Sequence, residues 1–459
     1  MRVLIAGYGM AGARLAELLT ARDPGMAVTV VGAEPRPAYN RVLLSRLLTG
    51  GLAAAELLLH GPDWARDNGV GLRLGVAVSD VDRDGRRVRL SDGTALGYDA
   101  LVLATGSRPV LPPVEGLTAD APGVAVLRTM DDFLTTAASL DGDARAVVLG
   151  GGVLGLETAF ALSGRVSAVT VVQPSGRLMD RQLDAGAASV LGAVCRRLGV
   201  STVLGRGAVR VYPGEGVKLD DGSFVPAEVI VVAAGVRPDT RLAEAAGLRV
   251  DGGVVVDDRL RTADPAIHAI GDCARAGAPP QGLVAPAWRQ AEVLADVLTG
   301  GGARYRHSPA PTRLRAGGVD LTVVGDGRAE TGEVLRFEDP AGGRYARLAL
   351  DRGRLTGAIL LGLGDAAARV AQLHDDGDPV PADRLALMFG RALPSAPTGD
   401  ADPVCRCNGV TRKSLVDAWR AGAADPAALT AATRAGTGCG DCAGRVAAIA
   451  DTLNRGETS

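Results

Sequence analysis

The sequence predicts an α/β protein with two Rossmann-like dinucleotide-binding domains, followed by a small α+β domain and a small helical domain. Three observations carry the prediction. The chain opens with a strand, a G-x-G-x-x-G turn, a helix and a second strand. The same programme restarts near residue 146. Four cysteines gather at the far end, after a proline-rich stretch.

The first unit begins with the apolar run Arg2-Val-Leu-Ile-Ala6, then Gly7, Gly9 and Gly12. A helical pattern runs through Leu15, Leu18 and Leu19 until Asp23-Pro24-Gly25 stops it. Residues 27–31 form the next strand, with Glu34 just beyond its end. A lone glycine motif is a weak signal, but this one carries its full context. The glycines allow a tight turn and let the backbone, with Met10 and Ala11 opening the helix, approach a pyrophosphate. Glu34 can accept hydrogen bonds from an adenosine ribose. The motif alone does not separate FAD from NAD.

The second unit runs strand 146–149, then Gly150, Gly152 and Gly155, helix 154–163 and strand 168–172. Its expected ribose-binding acid is missing; Gln173 stands there, with Arg177 and Arg181 nearby. Gln173 can still bond a hydroxyl, and Arg177 is a candidate partner for a 2′-phosphate. NADH is favoured and NADPH stays open. Glu157 lies on the helix after this loop. It reads either as a contact to the nicotinamide end or as a charge favoured at helix entry.

A β-rich stretch from 70 to 104 ends in Ala104-Thr105-Gly106, and a similar turn, Ala234-Gly235, closes the second unit. Residues 250–273 lead to Gly271-Asp272, and helix 285–299 follows. The expected division is therefore 1–112 with 241–305, then 113–240, a small α+β domain at 306–394, a linker at 395–404 and a helical domain at 405–459. A net charge of -2 does not favour nucleic acid or an acidic membrane as partner. No apolar run reaches the ~18 residues of a membrane span, and the start lacks a signal peptide's pattern, so a cytoplasmic protein is expected.

The strongest local metal signal is Cys405-x-Cys407 followed, after thirty-one intervening residues, by Cys439-x-x-Cys442. Four thiolates suit either a [2Fe–2S] cluster or tetrahedral zinc, and spacing leaves both open. Cys195 and Cys273 stand apart and are expected to pack.

These residues together resemble the two-dinucleotide-domain flavoprotein reductases, which include rubredoxin and ferredoxin reductases. The resemblance covers residues 1–305. It implies that the first loop binds FAD and the second NAD(P)H. It also implies that Asp272, in the stretch Thr262 to Asp272, bonds the ribityl chain, and that Ala104, Thr105, Gly106, Ala234 and Gly235 form the crossover turns. Unlike the disulfide reductases of that family, the chain has no cysteine between residues 1 and 194. A thiol relay at the flavin is therefore excluded. Glu34 to Ser45, Leu127 to Asp132, Leu178 to Asp184 and Gly282 to Pro286 look like the nitrite reductase large-subunit branch. There Arg41 and Arg128 are expected at FAD. That branch normally continues into a sirohaem and [4Fe–4S] module, for which this sequence has no cysteines left. It resembles instead a shortened form, the electron-transfer subunits of assimilatory nitrate reductases.

Cys405-Arg-Cys407-Asn-Gly-Val-Thr411 and Thr433 to Cys442 resemble bacterioferritin-associated-ferredoxin-like domains. This favours [2Fe–2S], since redox-silent zinc would serve little purpose beside a flavin. Gly436, Gly438 and Gly440 would let backbone amides approach the cluster, and a helix starting near Gly444 would aim its positive end there. The implied chemistry is hydride from the nicotinamide to FAD and single electrons onward through the cluster, with Arg41 and Glu157 beside the reacting rings. The implied partner is a nitrate or nitrite reductase catalytic subunit. The alternatives are a general ferredoxin-type or iron-release reductase, and a redox sensor. The linker is expected to let the cluster domain swing.

Overall fold

Two parallel five-stranded sheets frame the protein. In the computed structural model, residues 1–390, 403–405, 408–438 and 442–455 are described. The first sheet has the order Ile267–Ala269, Ala100–Leu103, Arg2–Ala6, Ala27–Gly32, Gly71–Leu74. Every neighbouring pair is parallel. Val3, Leu4 and Ile5 are buried, as are Leu101, Val102 and Leu103. Such unbroken apolar runs are what a sheet covered on both faces requires.

The second sheet repeats the plan: Val200–Leu204, Ala168–Gln173, Arg145–Leu149, Val229–Val232, Val124–Val126. Each sheet has its own three-stranded antiparallel meander, Val78–Asp82 to Ala95–Gly97 in the first and Ala208–Tyr212 to Phe224–Pro226 in the second. The strands leaving the two sheets, Ser107–Pro109 and Val236–Pro238, pair antiparallel with each other. The expected repeat and the expected crossover turns are thus joined at one seam.

Helix Met10–Arg22 packs on helix Val284–Leu298. Ala13, Ala16, Ala291 and Ala295 are all buried there, and such small side chains let the two helices approach closely. This contact brings the residues after Asp272 back onto the first glycine loop.

The small α+β domain is an antiparallel sheet ordered Thr312–Ala316, Val319–Gly325, Arg354–Leu361, Arg344–Asp351, Glu333–Asp339. One face carries helix Gly364–Asp376 through Ala367, Val370 and Ala371. The other gives Leu321, Tyr345 and Ile359 to the core of the second sheet. Asp184 fastens this seam: it caps helix Ala185–Arg197 through the Ala187 amide at 2.9 Å and accepts from the Tyr345 hydroxyl at 2.5 Å.

In the last domain, Pro403–Cys405 pairs antiparallel with Val410–Thr411. Helices Arg412–Arg420, Pro426–Thr433 and Ala443–Asn454 follow. Thr411 and Asp425 cap the first two through the amides of Ser414 and Ala428. Leu415, Leu429, Val446 and Ala450 form the core, which Met10 and Trp288 also enter. Of the expected linker, residues 395–402 lie outside the described residues. Among those described, no helix is long and apolar enough to cross a membrane.

Candidate functional site

The two glycine loops are geometric copies. Gly7 and Gly150 both have φ of +122°, which disfavours any L side chain. A Cβ on Gly7 would lie 2.1 Å from the Ala104 carbonyl oxygen, and one on Gly150 2.3 Å from that of Ala233. A Cβ on Gly12 would meet the Gly7 oxygen at 2.1 Å, and one on Gly155 the Gly150 oxygen at 2.0 Å. First and third glycines therefore let helix and strand close on each other. The middle ones differ: a Cβ on Gly152 meets nothing within 4 Å, and one on Gly9 meets only the Arg41 Nε at 3.9 Å. Neither helix has a side-chain cap or an acid in its first turn. Its first amides are left for a ligand, beside open space at the middle glycine. Both loops fit a dinucleotide pyrophosphate.

Around the first loop a continuous polar chain assembles. Glu34 follows strand Ala27–Gly32; its carboxylate pairs with the Arg41 guanidinium and accepts from the Tyr39 hydroxyl at 2.6 Å. Arg41 donates to the Arg128 carbonyl at 3.0 Å and lies over the Tyr39 ring, 4.9 Å from its centroid. Arg128 donates to the Ser107 hydroxyl at 2.9 Å, and Ser107 donates to Asp272 at 2.8 Å. Burial, and then the neighbouring charge of Arg41, lower the Arg128 pKa below its usual value. Two partly buried guanidinium groups side by side suit an anionic group such as a flavin nucleotide. Gly271, whose amide donates to Gln290 at 2.7 Å, closes over Ala11. Thr105 links this unit to the next by donating to the Asp239 carbonyl at 2.6 Å, with Gly106 in the left-handed region just after it.

At the second loop, Gln173 accepts from the Gly151 amide at 2.7 Å and donates to Ser175 at 2.6 Å. Its amide braces the loop, a role that spacing alone did not suggest. Arg177 is exposed close by, as are Ala234 and Gly235 at the end of the facing strand. Glu157 is partly buried in helix Val153–Leu162, past its first turn. Burial pushes its carboxyl up to about 7, against weaker opposing pulls from Arg46 and the Ser45 hydroxyl. Ser45 and Arg46 belong to the turn of helix Arg41–Thr49 that leaves the first loop's polar chain. The sequence reading gave no role to either, nor to Ser107 or Tyr39, although Tyr39 and Ser45 lie within the stretch Glu34 to Ser45 that carried the family likeness.

Cys405 and Cys442 are buried in one apolar core. Cys442 directly precedes helix Ala443–Asn454, whose first turn has no side-chain cap and no acid, so the positive end of the helix lies next to this cysteine. Cys407, Cys439 and Gly440 lie outside the described residues. Cys195 and Cys273 are buried as well, and burial pushes the Cys195 thiol up to about 12 and raises that of Cys273. Cys273 is turned toward the Leu103 and Ile270 carbonyls, which marks it as packing.

The pyridine nucleotide-disulphide oxidoreductase family model matches residues 1–291. The chain belongs to that family. A rubredoxin NAD+ reductase C-terminal domain matches residues 309–373, and a BFD-like [2Fe-2S] binding domain matches 403–452. This oxidoreductase therefore uses FAD, NAD(P)H and a [2Fe–2S] cluster. It is 32% identical over 455 residues to nitrite reductase (NAD(P)H) of Bacillus subtilis (strain 168), covering 96% of this chain and 56% of that protein. It is 32% identical over 427 residues to the assimilatory nitrate reductase electron transfer subunit of the same organism, covering 91% of this chain and 55% of that one. The oxidoreductase thus spans about half the length of these curated relatives. Among solved structures, that of the covalent putidaredoxin reductase–putidaredoxin complex matches with a TM-score of 0.78 and 29% identity, covering 84% of this chain and 95% of that one.

Proposed function

We propose that this oxidoreductase takes hydride from NADH and delivers single electrons to the catalytic subunit of an assimilatory nitrate or nitrite reductase. The observation that carries the proposal is one fold holding two dinucleotide loops and a cysteine-bearing core that shares Met10, from the first loop, with Cys405 and Cys442. Bound flavin supplies the conversion from a two-electron donor to a one-electron acceptor. The chain supplies placement. Glu34, Arg41, Arg128 and Asp272 would hold FAD along its length. Gly150, Gly152 and Gly155 would hold the nicotinamide cofactor, with Gln173 bracing their loop and Arg177 at hand for a 2′-phosphate. Glu157 would sit beside the nicotinamide with a carboxyl that titrates near neutrality. Cys405, Cys407, Cys439 and Cys442 would ligate the cluster.

The likeness to a nitrite reductase and to an assimilatory nitrate reductase electron transfer subunit, each over more than nine-tenths of this chain, supports the acceptor named. A second reading is a reductase serving a small iron–sulfur protein, favoured by the likeness to a reductase solved with putidaredoxin. Reconstitution separates the two. NADH-driven nitrate or nitrite reduction on adding the catalytic subunit, faster than reduction of any added ferredoxin, is expected. Fast ferredoxin reduction with no turnover of the nitrogen substrate would overturn the first reading in favour of the second.

A further inference from the structure

The cluster domain does not stand apart from the flavin unit. Asn40 is buried, with 3% of its surface exposed, and spends its whole side-chain amide. Its oxygen accepts from the Val42 amide at 3.0 Å and caps the turn Arg41–Thr49. Its nitrogen donates to the carbonyls of Thr437 and Gly438, each at 2.8 Å. Those carbonyls stand directly before Cys439. From within the cluster domain Asn408 does the matching work, donating to the Arg434 carbonyl at 2.5 Å and the Thr437 hydroxyl at 3.2 Å. Segment 434–438 is thus gripped by two asparagine amides, one from each domain.

Two further contacts run along the same seam. The Arg434 guanidinium pairs with Glu17, which also faces Arg14 at 3.4 Å and His60 at 3.9 Å. Trp288, 1% exposed, enters the cluster-domain core while its indole donates to the Met10 carbonyl at 3.1 Å. Glu17 and Met10 share the helix that opens at the first glycine loop. Tyr39-Asn40-Arg41 is therefore one three-residue stretch with two duties: its outer members hold Glu34, and its middle member holds the Thr437 and Gly438 carbonyls.

We propose that Met10, Glu17, Asn40 and Trp288 form a docking seat for the chain's own cluster domain, and that Asn40 is the positioning residue that sets segment 434–438 beside the flavin cradle. The seat rests on the reading that the first loop holds FAD and the four cysteines hold the cluster. With both groups bound, this arrangement would let FAD hand electrons one at a time to the cluster. A one-electron protein acceptor removes the first before the second follows. The Asn40 hydrogen bonds hold segment 434–438 against the stretch of backbone that carries Arg41, so in the docked state transfer would require no swing of the linker.

Asn40→Asp separates the two duties of the amide. It keeps the oxygen that caps Val42, loses both donors and turns a carboxylate toward two carbonyls. Arg434→Gln weakens the seam from the other side without touching the cap. Hydrogen exchange on the full chain reads the seat directly. In N40D, peptides covering 434–438 and 284–298 are expected to exchange about tenfold faster, while the strand 145–149 keeps its protection. In the same variant, cluster reduction after anaerobic mixing with NADH is expected to lag flavin reduction about tenfold more than in the wild type. Wild-type protection of both peptides in N40D overturns the proposal, as does cluster reduction that keeps pace with the flavin. Should N40D lose protection throughout, R434Q decides: raised exchange confined to the two seam peptides supports the seat, and wild-type exchange there overturns it. If the wild type itself reduces flavin and never the cluster, the cofactor reading fails instead, while the exchange data still decide the seat.

Discussion

Arg128 and Asp272 stand 3.6 Å apart, and Ser107 spans them, accepting from the arginine at 2.9 Å and donating to the carboxylate at 2.8 Å. The three residues come from three separate segments. They meet only where the exit of the first sheet, the turn before helix Met130–Ser139 and the turn Gly271–Cys273 converge.

That relay predicts the grip on FAD. A hydrogen bond to a charged group contributes about 1.5–3 kcal/mol, so Arg128→Ala or Asp272→Ala should weaken FAD binding by about tenfold or more. Because the two share Ser107, the double variant should lose less than the sum of the singles. Recovery of flavin fluorescence on dilution measures this. Wild-type retention of FAD in both single variants would remove the relay from the site.

The glycines of the second loop predict a contrast between neighbours. Gly155→Ala sets a methyl 2.0 Å from the Gly150 oxygen, and relieving that overlap should cost about 3 kcal/mol of stability. Gly152→Ala meets nothing within 4 Å and should unfold within about 0.5 kcal/mol of the wild type. It should keep its FAD and lose NADH affinity, because the methyl occupies the space left for a pyrophosphate. Urea unfolding and NADH titration measure the two effects. Unchanged NADH affinity in G152A would place the cofactor elsewhere.

Glu157 predicts a pH dependence of stability. Burial moves its carboxyl from 4.5 to about 7 in the fold. Between those values the unfolded chain has already released a proton that the folded chain keeps, so stability falls as pH rises through this window and levels off above it. Glu157→Gln should remove this slope. Urea midpoints across the window in the two proteins provide the check, and identical slopes would show that Glu157 does not titrate there.

Glu17 predicts the opposite slope in acid. Burial acts to raise its carboxyl, but His60, Arg434 and Arg14 outweigh it and hold the group at about 2, below its ordinary 4.5. Its stabilising contribution is present above 4.5 and lost as pH falls toward 2. The cluster domain should therefore loosen over this range in the wild type and much less in Glu17→Gln, which has already lost the ion pair. Protection of residues 434–438 against exchange, followed with pH in both proteins, tests this.

What the sequence revealed followed from local rules. Glycine spacing, unbroken apolar strands and the cysteine pattern each depend on residues close in the chain, and the elements at 145–149, 153–162 and 284–298 lie within a residue of their expected bounds. Glu34, Arg41, Arg128 and Asp272 were named one by one, the last three through family likeness. Their connection was not legible, because Ser107 reaches Asp272 across 165 positions and no periodicity encodes that. Asn40 was hidden for the same reason. It sits inside a recognised motif, yet its partners lie 397 and 398 positions away, and only the docking of two domains reveals its second use.

The central claim is the conversion of a paired-electron donor into single electrons within one chain. An anaerobic titration of this chain with NADH, followed by visible absorption and paramagnetic resonance, tests it most directly. The account predicts yellow-brown protein that takes up about three electrons per chain, two at FAD and one at the cluster, with a paramagnetic signal from the reduced cluster. A protein that bleaches after two electrons, stays silent in paramagnetic resonance and carries zinc at its cysteines would contradict it.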